Sequence, residues 1–242
     1  MNHRITPERR FATATLAFAE VKETGKKLGA TINDMVLAMS TGALRTLQLR
    51  YDGRADPLLA SVPVSFDFSP ERISGNRFAG MMVGLPTDSD DPLERVRVSH
   101  DNAMSAKESH QLLGPELISR WAAYWPPAGT EAVFRWLSNR DGQNKVLNLN
   151  ISNVPGPRQR GRVGGALVTE IYSVGPLTAG SGLNITVWSY VDQLNISVVA
   201  DGATVKDPHE VTEAMVADFI EIRRAAGLSE KLTLVETAMA PA

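Results

Sequence analysis

Residues 145–200 constrain the fold more than any other part of this chain. Between Lys145 and Ser152, Leu147, Leu149 and Ile151 recur at every second position, with Asn148, Asn150 and Ser152 between them. A period of two marks a strand with one buried and one polar face. Asn153-Val154-Pro155-Gly156-Pro157 is expected to stop that strand, since proline cannot donate to a ladder and glycine permits a sharp turn. Further strands are expected at 166–174, 182–190 and 193–200. The rest of the chain is mostly helical in pattern and is able to cover such a sheet.

Residues 1–10 are polar and basic and read as a tail or linker stub. Residues 11–18 set Thr13 and Thr15 against Ala14, Leu16 and Phe18, as a strand would, and 20–28 reads as a short helix that Gly29 ends. Ile32, Val36, Met39, Ala43 and Leu47 then share one helical face, with Arg45, Gln48 and Arg50 away from it. Thr31 with Asp34 three residues on makes a capping box at its start, and Asp52-Gly53 ends it.

Residues 58–68 read as a strand in which Pro63 points to an edge or starting position. Ser74-Gly75-Asn76 is a turn and 77–85 another strand. Asp90-Asp91-Pro92 opens a helix with Leu93, Val96, His100, Ala103 and Lys107 on one face. Helical stretches at 112–125 and 130–138 carry Trp121, Tyr124, Trp125, Phe134 and Trp136, which suit helix-on-helix packing or the lining of a lipid-sized tunnel. Asp207-Pro208-His209-Glu210 opens a last helix striped by Val211, Met215, Phe219 and Ile222, and Gly227 ends it. Residues 11–227 are therefore expected to form the domain, and 228–242 a C-terminal tail.

The chain has 242 residues, enough for one large domain or two small ones. A net charge of −2 offers no basic surplus for nucleic acid or an anionic membrane. The absence of cysteine removes disulfides, thiolate nucleophiles and Cys-ligated zinc, and suits a reducing cytoplasm. No apolar run approaches the ~20 residues of a membrane helix, so membrane contact is expected to be peripheral.

Catalysis is not advertised. No two of His3, His100, His110 and His209 lie at metal-binding spacing, and no metal is expected. His100, on an apolar helix face, reads chiefly as a core histidine. There is no Gly-x-Ser-x-Gly elbow and no phosphate loop, and Gly180-Ser181-Gly182 lacks the rest of a dinucleotide fingerprint. Asn33-Asp34 is explained by capping, with support of a site as the sharper alternative. Arg158, Arg160 and Arg162 suit a solvated loop or a phosphate-bearing ligand.

Several stretches occur in an order that resembles a known family. They are 31–38 (Thr31 to Ala38), Val62-Pro63-Val64-Ser65, Gly75-Asn76-Arg77, Ser152 to Pro157, and Gly182-Leu183-Asn184-Ile185-Thr186 with Ser189-Tyr190. The series resembles the C-terminal half of the bacterial wax ester synthase/diacylglycerol acyltransferase family, strongly represented in actinobacteria, over residues 8–226. The resemblance implies an α/β (α+β) fold, a mixed β-sheet flanked by helices, like one half of a CoA-dependent acyltransferase of the chloramphenicol acetyltransferase type. In that family acyl-CoA and an alcohol, diacylglycerol or a fatty alcohol, meet in a tunnel between two halves. A histidine of a His-His-x-x-x-Asp-Gly motif takes the hydroxyl proton.

That motif lies in the family's N-terminal half, and no His-His pair occurs here. The resemblance therefore implies a C-terminal half of an O-acyltransferase of triacylglycerol or wax ester synthesis that needs a separate N-terminal half. The alternative is a non-catalytic module binding a lipid, acyl-CoA or a partner protein. Asn33 and Asp34 would support the site. Asn153, Pro155, Gly156 and Pro157 would shape the tunnel wall, and Arg158, Arg160 and Arg162 would meet CoA phosphate. No catalytic residue and no cofactor is expected, acyl-CoA being a substrate. The expected location is cytoplasmic, with peripheral contact at the inner membrane or lipid droplets.

Overall fold

The computed structural model describes residues 3–65, 78–113, 126, 129, 131–132, 147–177, 180–233 and 235. Phe66, Phe68, the turn at Ser74-Gly75-Asn76, Arg77, the aromatic residues 121–136 and Val146 lie outside the described residues, as do most of the helices expected at 112–125 and 130–138.

A six-stranded sheet has the order β1-β8-β7-β4-β2-β3. Its strands are β1 (Arg9–Ala17), β2 (Leu58–Ser65), β3 (Phe78–Leu85), β4 (Leu149–Pro155), β7 (Leu183–Tyr190) and β8 (Gln193–Asp201). A hairpin of β5 (Arg162–Val163) and β6 (Ala166–Leu167) stands apart from it. β2, β4 and β7 run parallel, while β1, β8 and β3 pair antiparallel with their neighbours. The sheet is mixed, as the resemblance implies.

Four helices are described: α1 (Phe18–Leu28), α2 (Ile32–Asp52), α3 (Pro92–Leu113) and α4 (His209–Ala225). They pack on one another as a layer over the sheet. The core between the layers holds Leu149, Ile151, Leu183, Ile185, Leu194 and Ile196 of the strands against Val36, Met39, Met215 and Phe219 of the helices. The expected stripe of α4, Val211, Met215, Phe219 and Ile222, is fully buried. Gly29, Gly53 and Gly227 follow their helices at positive φ, where a Cβ would be strained.

The opposite face of the sheet is polar. Its side chains hold a segment that crosses it. Tyr190 Oη donates to Val168 O (2.9 Å) and accepts from Gly161 N (3.0 Å). Asn195 Nδ2 donates to Ile171 O (3.1 Å), Asn184 Nδ2 to Pro176 O (3.2 Å), and Tyr172 Oη meets Thr15 Oγ1 at 2.6 Å. The strand expected at 166–174 is thus a correction. Only Ala166–Leu167 is strand, because the carbonyls that follow bond to side chains and not to a ladder.

Two proline expectations also change. β4 runs on through Asn153 and Val154 to Pro155, because its pairing with β7 continues to Pro155↔Ser189. β2 is interior, between β3 and β4, so Pro63 is not on an edge strand. Yet β2 and β4 share only Ala60↔Leu149 and Ser61↔Asn150, while β2 pairs with β3 along its whole length. Leu59 O accepts from Asn148 N, and Leu59 N donates to Asn148 Oδ1. By alternation Pro63 also turns its backbone toward β4, where it has no N–H to give. The ladder ends just before it.

Candidate functional site

α2 starts at a complete capping box. Thr31 Oγ1 accepts from Asp34 N (3.2 Å), and Asp34 Oδ2 accepts from Thr31 N (2.8 Å). The two orphan donors at the helix start are satisfied reciprocally. The Asp34 carboxylate also sits by the positive end of the helix dipole. β2 begins beside the end of α2, and a helix of 21 residues is ~30 Å long. The start of α2 therefore lies at the other end of the sheet, where β4 stops at Pro155.

The same Asp34 Oδ2 takes two side-chain contacts, from Thr31 Oγ1 (2.8 Å) and from His100 Nδ1 of α3 (2.8 Å). Asp34 is buried, but the His100 side chain is 38% exposed. His100 is thus no core histidine. Its imidazole bridges the first turn of α2 to α3, with Nε2 free of partners among the described residues. The hydrogen bond that His100 donates to Asp34, and then the charge of Asp34, hold the His100 pKa above the usual 6.5. The carboxylate stabilises the imidazolium relative to a free histidine. Asn33 is half-buried beside it.

The stretch expected as a tunnel wall is the end of β4, from Asn153 to Pro155, with Gly156 and Pro157 after it, at the same end of the sheet. Asn153 pairs with Val187, Gly156 N donates to Ser189 Oγ (3.2 Å), and Pro157 O accepts from Val191 N (3.0 Å). A methyl on Gly156 would overlap Ser189 O, so the close crossing of β7 requires glycine. Two of the three arginines are used locally. Arg160 donates to Thr169 O (2.9 Å) and Asp192 Oδ1 (3.1 Å), and Arg162 to Gly165 O (2.9 Å). Arg158 is exposed and has no partner among the described residues. The structure brings Asp34 and His100 together. It puts residues 153–157 at the same end, with no hydrogen bond between the two groups among the described residues.

Behind the pair, Arg95 of α3 and Asp218 of α4 form a buried ion pair, their side chains 3% and 5% exposed. Arg95 also donates to Ser89 O (3.2 Å) and Asp90 O (3.0 Å), and Glu221 lies 3.8 Å away. Burial pushes the Asp218 carboxyl up to about 7, against the pull of Arg95. Neither residue follows from periodicity, which would place charges outside. Among the described residues no group of three or more His, Asp or Glu side chains is placed to hold a metal, and no helix is long and apolar enough to cross a membrane.

Comparison with known proteins bears on both ends of the chain. The family model of the WS/DGAT C-terminal domain matches residues 74–223, and that of the wax ester synthase/diacylglycerol acyltransferase catalytic domain matches residues 1–36. A putative diacylglycerol O-acyltransferase of Mycobacterium tuberculosis is 85% identical over all 242 residues, which are 52% of that relative. A solved wax ester synthase/diacylglycerol acyltransferase from Marinobacter aquaeolei VT8 superimposes with a TM-score of 0.75 at 27% identity, over 94% of this chain and 51% of that one. In fold alone, the starter condensation domain of rhizomide synthetase is also similar, with a TM-score of 0.55 at 15% identity, over 96% of this chain and 48% of that one. The chain spans about half the length of the curated relatives it matches.

Asn33 and Asp34 fall in the stretch matched by the catalytic-domain model, although β1, α1 and the start of α2 are built into this sheet and core. The boundary between the two family models is therefore not a boundary in the fold. With the C-terminal-domain match covering more than half of its residues, the chain belongs to the WS/DGAT C-terminal domain family.

Proposed function

We propose that this chain supplies the C-terminal half of an acyl-CoA-dependent O-acyltransferase of the diacylglycerol acyltransferase/wax ester synthase type. The observation that carries the reading is the pair of family matches, 74–223 to the C-terminal domain and only 1–36 to the catalytic domain, in a chain without a His-His pair. The alcohol oxygen attacks the thioester carbonyl, its proton passes to a base, and the CoA sulfur leaves and is protonated. The base belongs to the family's other half.

In this reading Asn33 and Asp34 shape the site from the start of α2, with His100 tying that turn to α3. Residues 153–157 form part of the tunnel wall. Of the arginines, Arg158 is the one left to meet a CoA phosphate. The chain works in the cytoplasm against a membrane or lipid-droplet surface, where its substrates partition.

The test is reconstitution. The purified chain is mixed with the catalytic-domain portion of the Mycobacterium tuberculosis relative and supplied with a long-chain acyl-CoA and diacylglycerol or a fatty alcohol. Ester formed by the mixture and by neither component supports the reading. Acyl-CoA binding without ester, over a range of such catalytic portions, would replace it with a lipid-binding module.

A further inference from the structure

We propose that Asp201 is a joint: its buried carboxylate fixes residues 3–9 on the sheet and so sets where the family's catalytic portion enters this half. This rests on the two-half reading above. Asp201 is the last residue of β8, and its side chain is fully buried. Its oxygens accept from Thr6 N (2.6 Å), Thr6 Oγ1 (3.1 and 3.0 Å), Ala203 N (2.9 Å) and Arg9 Nη1 (3.3 Å), with His3 Nε2 at 4.0 Å. Burial pushes its carboxyl up, but those N–H and hydroxyl donors outweigh burial and hold it below the ordinary carboxylate range.

The surrounding contacts serve the same end. His3 bonds Thr204 Oγ1, Gly202 N donates to Glu8 O, and Arg10 donates to Lys206 O and Glu8 Oε1. Gly182 has no Cβ, and a methyl there would overlap Thr204 and meet His3. A polar segment with no mechanical task does not need a buried carboxylate, since isolated buried charge is strongly disfavoured and persists only when fully bonded.

A second observation says what the task is. Residues 1–36 match the catalytic-domain model while 74–223 match the C-terminal one, in relatives about twice as long. Residues 3–9 thus belong to the stretch in which such chains pass between the halves. The joint lies at the end of the sheet opposite the Asp34–His100 pair, since β8 ends where β7 begins. It acts on the site through the placement of the halves, so Asp201 is a positioning residue.

Two measurements test it. In the chain alone, Thr6→Pro removes both the backbone N–H and the hydroxyl that Asp201 accepts from and leaves Asp201 in place, while Asp201→Ala removes the acceptor. Each is expected to speed amide hydrogen exchange at residues 4–9 by about tenfold or more, with the centres of β7 and α4 unchanged. In a fusion of the relative's catalytic portion ahead of Met1, a spin label at Glu213→Cys, clean because the chain has no cysteine, is paired with one on that portion. A narrow distance distribution that broadens in Thr6→Pro, with kcat falling more than KM rises, supports the joint. Unchanged exchange, or an equally narrow distribution in both variants, overturns it. A fusion with a narrow distribution but no ester formation counts against the proposed function and not against the joint.

Discussion

Replacing Arg95 by methionine should destabilise the domain by ~3–5 kcal/mol, the range for leaving one member of a buried ion pair without its partner. Asp218 is 5% exposed, and Arg95 also secures Ser89 O and Asp90 O at the entrance to α3. A shift from 3.8 to about 7 means that, with the guanidinium present, the site already disfavours the charged form by ~4 kcal/mol relative to a carboxyl in water. Without it the penalty grows. The sign with pH follows. A folded pKa above the unfolded one means stability present below 3.8 and lost as pH rises through the folded value near 7.

In Arg95→Met that loss extends to higher pH, so the gap to wild type should widen as pH rises through and beyond 7. Urea unfolding at about pH 6, 7 and 8.5, with the denaturant slope constant, measures it. The double variant Arg95→Met/Asp218→Leu removes both charges and should be less destabilised than Arg95→Met alone. A loss below ~1 kcal/mol for Arg95→Met, or a double variant worse than the sum of the two singles, would refute the reasoning.

Three other outcomes are expected. His100→Gln should lower the melting temperature more near pH 6 than near pH 9, because a raised His100 pKa contributes stability that is complete below 6.5 and lost as pH rises through the folded value. Thr31→Ala removes the capping hydroxyl and should cost about 1 kcal/mol in chemical unfolding, with reconstituted activity falling if the start of α2 shapes the site. Gly42→Ala places a methyl into the Asp218 carboxylate and should cost ~1–3 kcal/mol, against the gain usual for a Gly→Ala change within a helix.

Local features of this fold were legible and distant ones were not. The capping box at Thr31, the stripe of α4, the stops at Gly29, Gly53 and Gly227 and the alternation of β4 are all written within a few residues. The segment after Leu167 has the composition of a strand, but its partners are the side chains of Tyr190, Asn195 and Asn184. Pro63 marks a missing ladder as expected, though on one side of an interior strand.

The site was half legible. Asp34 stood out through its cap, while its partner His100 is 66 residues away, and helical spacing placed that imidazole with the apolar residues. Arg95 and Asp218, 123 residues apart, and Thr6 and Asp201, 195 apart, carry no local signal at all. Only the fold makes neighbours of them. Family resemblance, carried by ordered motifs, reached further than periodicity because it does not depend on knowing which residues touch.

The central claim is that the proton-abstracting base is not among these 242 residues. Thioester consumption by the chain alone, with a long-chain acyl-CoA and either diacylglycerol or a fatty alcohol, tests it most directly. The account predicts a rate indistinguishable from buffer, with wild type and His100→Ala alike. Turnover in the ordinary enzymatic range of ~1–10³ s⁻¹ by the rigorously purified chain would contradict it.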